Sequence, residues 1–107
     1  MKAFDEEVYG RIAGLLPPER LAVHLASFEQ QLRDCLYGPA DEERMKSGAH
    51  KLIAQAGMLG FMELSERCGD LEAACEAGGP VEAPLAAARA AAEQAFTKLA
   101  ELRGGGG

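Results

Sequence analysis

The 107-residue sequence predicts an all-α protein: an antiparallel up-down four-helix bundle with a short additional N-terminal helix. Three observations lead there. Apolar residues recur at spacings of three and four, the period of one helix face, and no alternating run reads as a strand. The composition is 48% hydrophobic, much of it alanine, with only 6% aromatic residues, and Ala, Leu, Glu, Gln and Arg head the helix-propensity scale. Gly and Pro clusters then cut the chain into segments of a few turns joined by short loops, which suits helices packed back and forth.

The elements follow in order. Phe4, Val8, Ile12 and Leu15 predict a short first helix over residues 3–15, placed to cap one end of the bundle. Pro17-Pro18 stops it and suits the first turn of the next helix, where a missing N–H costs nothing. From Glu19 to Leu36, the set Leu21, Leu25, Phe28, Leu32 and Cys35 makes one apolar face. Gly38-Pro39 breaks the chain, and Asp41 is the expected N-cap of a third helix, with Glu42 and Glu43 in its first turn. That helix is expected to end at Gly60, a residue that takes the left-handed conformation of a helix terminus without strain. A fourth runs over residues 61–77, burying Phe61, Leu64, Cys68, Leu71 and Cys75, until Gly78-Gly79-Pro80 ends it. A fifth covers residues 81–102, with Leu85, Ala88, Ala92, Phe96 and Leu99 inward. Residues 1–103 thus read as one domain, and 104–107 as a flexible glycine tail.

Composition also narrows the function. The net charge is −6 with Lys and Arg scattered, so a nucleic-acid partner would find no electrostatic footprint. No apolar run approaches the roughly 20 residues of a membrane span, and no signal peptide is evident, so the expected location is the cytoplasm. Cys35, Cys68 and Cys75 form no CxxC pair and an odd count suits no disulfide framework. They read as small core residues of a reducing compartment. Clustered Cys and His ligands at short spacing, which a metal centre needs, are missing, so no metal or cofactor of its own is expected.

The most informative residue is His50. At roughly 100° per residue, Met45, Ala49, Leu52, Ala56 and Leu59 gather on one side of the third helix, and His50 falls nearly opposite. Its own stripe holds Lys46, Ser47, Ala54 and Gly57, all small or flexible. An imidazole on a rigid helix, facing water among such neighbours, is an accessible nucleophile. His24, by contrast, borders the apolar stripe of the second helix beside Leu21, Leu25 and Phe28, and reads as structural. Ile53, Met58 and Phe61 lie on or near the His50 side and make an expected apolar rim for a partner, with Ser47, Ala54 and Gly57 as its small-residue floor.

Ala49-His50, Leu52, Gly57, Gly60, Leu64, Cys68 and Leu71-Glu72, in ungapped register, resemble the histidine-containing phosphotransfer (HPt) domain family. The resemblance implies a phosphorelay intermediate: His50 would accept a phosphoryl group from a receiver-domain aspartate and hand it to another receiver. Mg²⁺ is then expected in the receiver, which supplies charge neutralisation for the loose transition state. Response-regulator receiver domains, and a hybrid histidine kinase as a second class, are the implied partners of a monomeric module. Glu72 matches the family position facing the histidine and would orient the ring through its other nitrogen. Two positions depart from the pattern, which sets lysine at position 53 and glycine at 54, where this chain has Ile53 and Ala54. Ile53 removes a charge beside the reacting group, for which Lys46 or Lys51 would compensate. The competing reading is a non-catalytic module of the same fold, binding a receiver or kinase without carrying phosphate.

Overall fold

A computed structural model describes residues 2–104. Among them the chain forms five helices and no strand: α1 (Glu6–Leu15), α2 (Pro18–Tyr37), α3 (Glu42–Leu59), α4 (Met62–Ala77) and α5 (Glu82–Gly104). The protein is a helical bundle. α3 packs against α2 and α4, α5 packs against α4 and α2, and α1 lies on α3.

Local chemistry accounts for the boundaries. The Asp5 carboxylate accepts from Glu7 N (3.0 Å) and Val8 N (3.2 Å), capping α1. Asp41 caps α3 by accepting from Arg44 N at 3.2 Å, as its sequence position predicts. Gly60 (φ 92°) and Gly78 (φ 69°) close α3 and α4 in the left-handed region. Gly60 has a second constraint, because a Cβ there would stand 2.6 Å from the Asp5 carbonyl oxygen. Near the end of α2, Arg89 Nε donates to the Leu36 carbonyl at 2.7 Å, tying α2 to α5.

Several boundaries differ from expectation. α1 starts at Glu6 rather than at residue 3, because residues 3–5 are used otherwise. Phe4 pairs antiparallel with Phe61, Asp5 N donates to Gly60 O at 2.7 Å, and Glu63 N donates to Ala3 O at 3.3 Å. The N-terminal segment is a strap over the α3–α4 turn. α2 gains Pro18 and Tyr37 at its ends. α5 continues to Gly104, so that glycine is the last helical residue rather than the start of a tail; residues 105–107 lie outside the described residues.

The core joins Leu25, Phe28 and Leu32 of α2 to Ala49, Leu52 and Ala56 of α3, Leu64, Cys68 and Leu71 of α4, and Ala88, Ala92 and Leu99 of α5. Alanine stripes let these helices approach closely. At Gly48 α2 comes up tightly against α3, since a Cβ there would meet Cys35 Sγ at 2.8 Å. Leu21, Cys75, Leu85 and Phe96 are half-buried at the margin, and α1 has no fully buried residue. His24 is corrected: it is exposed, beside Glu19, Arg20 and Val23, outside the buried face that Leu25, Phe28, Leu32, Cys35 and Leu36 form on α2. Among the described residues no helix is long and apolar enough to cross a membrane.

Candidate functional site

α3 is anchored along one face by Met45, Ala49, Leu52, Ala56 and Leu59, all buried, which leaves the opposite face to solvent. His50 projects from that face with 76% of its side chain exposed. Across the α3–α4 seam, Glu72 follows the buried Leu71 and brings its carboxylate to the ring: Nδ1 and Oε2 are 2.7 Å apart. The Glu72 side chain is only 21% exposed, so packing holds the acceptor in place. An ionised carboxylate only accepts hydrogen bonds. With Glu72 as the acceptor, Nδ1 would carry the shared proton, and Nε2 of a neutral ring would keep its lone pair.

The other expected site residues divide by location. Lys46, Ser47 and Lys51 line a shallow hollow with His50, Glu72 and Glu43. Glu43 was not singled out by sequence, although two turns before His50 on the same stripe is where such a residue should lie. Ala54, Gly57 and Met58 are away from that hollow, on the C-terminal side of His50; Ala54 is exposed, Gly57 half-buried, and Met58 45% exposed. Ile53 is half-buried against the core, its Cδ1 4.0 Å from where a Gly69 side chain would begin. Its carbonyl accepts from Ser65 Oγ at 2.9 Å, a cross-helix tie no sequence spacing announces.

Phe61 is a correction. It is 3% exposed, with its ring 4.9 Å from Phe4 and 5.2 Å from Phe28 by centroids, and offers nothing to a partner. The strap lays Phe4 over it, a contact invisible to helix periodicity.

The cysteines are not nucleophiles here. Burial pushes the Cys35 thiol up to about 11 and that of Cys68 to about 12. Cys75 is also raised, by burial first and then by the Glu42 charge, while Lys46 acts in the opposite sense. Among the described residues no group of three or more His, Cys, Asp or Glu side chains is placed to hold a metal ion.

Comparison with curated proteins and with solved structures finds no match. A family model described as the Hpt domain matches residues 19–104. The match takes in essentially all of α2 to α5, including the seam that joins His50 to Glu72. With most of its length matched, the chain belongs to the Hpt domain family, helical bundles that take part in phosphotransfer with receiver domains and kinases in phosphorelay signalling.

Proposed function

We propose that this protein relays a phosphoryl group between receiver-domain aspartates through His50. The 2.7 Å contact between His50 Nδ1 and Glu72 carries the reading. It supports a ring whose proton is held on one nitrogen while the other is free to attack. In the step, the Nε2 lone pair forms an N–P bond as the P–O bond to the receiver's acyl phosphate breaks, and the electron pair returns to the aspartate. The Nδ1 proton stays in place. The ring becomes cationic, and the Glu72 carboxylate balances that charge. Mg²⁺ in the receiver's own site would neutralise the transferring group. Reversal of the same step on a second receiver delivers the phosphoryl group.

Ser47, Ile53, Ala54, Gly57 and Met58 would form the docking floor around His50. Small side chains let a receiver approach closely, and Met58 adds adaptable apolar contact. We take the unit as a single domain whose short loops return α2 to α5 in alternating directions, acting as a monomer in the cytoplasm.

A second reading has one observation in its favour. Ile53 stands where the family pattern has lysine, as expected of a module that binds a receiver or kinase without carrying phosphate. Incubation with phosphorylated receiver domains separates the two. The expected result is acid-labile, base-stable phosphate on the wild type and on His24→Gln, and none on a folded His50→Gln. Undiminished labelling of His50→Gln refutes the assignment.

A further inference from the structure

The hollow beside His50 lies on an unexpected side. Glu43, Lys46 and Ser47 line it from the turns before the histidine, with Lys51 beside the ring; Ile53, Ala54 and Gly57 do not. Helix geometry explains this, because side chains lean toward the helix N-terminus and His50 therefore leans over the turn that carries Lys46. A lysine at position 53 would lean back onto the ring from the other end. Ile53 instead packs beside Gly69.

From this asymmetry we infer that Lys46 is the cation that steadies the phosphoryl group on His50, in place of the residue missing at position 53. The inference rests on the reading of His50 as acceptor. Three observations distinguish Lys46 from Lys51. At roughly 100° per residue, Lys46 and Ile53 lie within roughly 60° of His50 on the same side, and Lys51 is roughly 100° away on the other. Ile53 packs beside Gly69 of α4, so the side it shares with Lys46 is the α4 side, where Glu72 meets the ring. Half-buried Lys46 also has its stem held by neighbours, whereas Lys51 is exposed. Among the described residues neither lysine is engaged in an ion pair, so the charge of Lys46 is uncommitted. Four residues of helix span about 6 Å, within reach of a lysine stem. An ammonium acts as a point charge on a flexible stem, so approach from either end of the ring serves.

Glu43 shares the hollow and works against an anion. It lies about 10 Å down the axis from His50, seven residues of helix rise, so Lys46 stands between it and the ring.

The test uses the intact protein, phosphorylated with phosphoramidate so that labelling needs no partner. Lysine side-chain NMR follows Cε and Nζ of Lys46 and Lys51 on phosphorylation, and single-turnover transfer to a Mg²⁺-loaded receiver domain gives rates. The expected result is a larger shift at Lys46 than at Lys51, with transfer slowed about three- to tenfold in Lys46→Met. Lys46→Arg should keep most of the rate, Lys51→Met should change it less, and Ile53→Lys should rescue Lys46→Met. Helicity is checked for each variant, with Lys46→Gln replacing any methionine variant that fails to fold. An unmoved Lys46 resonance, or a wild-type rate in folded Lys46→Met, overturns the inference while leaving His50 as acceptor. Failure of the wild type to take phosphate from either donor overturns both.

Discussion

Glu72→Ala isolates what the carboxylate does for His50. The contact is short at 2.7 Å, yet the ring is 76% exposed, so water competes for Nδ1 as soon as the acceptor is gone. A hydrogen bond to a charged group contributes about 1.5–3 kcal/mol when well shielded, and exposed pairs fall to about 0–1 kcal/mol. With only one partner largely shielded, an intermediate figure of about 1 kcal/mol is appropriate. Expressed wholly in the transition state, that is roughly a fivefold slower transfer. Glu72→Gln keeps an acceptor oxygen and loses the charge, so it should lie between the two. Quenched-flow single turnovers with a phosphorylated receiver measure the rates, and ¹⁵N NMR of His50 reports which ring nitrogen carries the proton. Folding stability should move by less than about 0.5 kcal/mol, since the pair lies at the surface. Equal rates for wild type and Glu72→Ala, with the Nδ1–H tautomer retained in both, would refute the orienting role.

Two further outcomes concern the scaffold. Gly48→Ala should lower unfolding stability by about 1–3 kcal/mol through overpacking against Cys35, where the new Cβ would meet Sγ at 2.8 Å. Adding Cys35→Ala should return part of the loss in denaturant titrations; no rescue would place the strain elsewhere. Alkaline pH should also destabilise the fold. The Cys35 and Cys68 thiols ionise near 9.0 in the unfolded chain but only at about 11 and about 12 when buried. Their contribution is therefore complete below about pH 9 and lost as pH rises toward 11 and 12. Denaturant midpoints from pH 8 to 11 should fall, and fall less steeply in Cys35→Ala/Cys68→Ala; identical slopes would count against the thiols.

What the sequence made legible is what local chemistry decides. Asp41, Gly60 and Gly78 end or begin helices through bonds to residues within a turn, so their roles follow from their neighbours. His50 was equally plain, because a stripe of five apolar positions on α3 leaves one direction for it to face. Glu72 needed more: 22 residues separate it from His50, and only the family register pointed across the seam. Phe61 and His24 went wrong for related reasons. Periodicity assigns a side but does not say what covers that side. The strap through Phe4 buries Phe61 from outside its own helix, and the stripe border at His24 is left to water.

The site gains its character from the contrast between the two faces of α3. Nothing on the solvent side except Glu72 is hydrogen-bonded to His50 among the described residues, so the stiffness that the proposed role asks of it would come from behind. Ala49, Leu52 and Ala56 are completely buried there, Gly48 admits α2 to near contact, and Ser65 clips α4 to the carbonyl of Ile53. The strap from residues 3–5 then holds the C-terminal end of α3 at Gly60. On the proposed reading, rigidity on the buried face permits openness on the other, where a receiver would reach Nε2, dock, react and leave. Ile53 sits on this divide, its side chain partly packed at the α3–α4 seam and partly left at the edge of the exposed face.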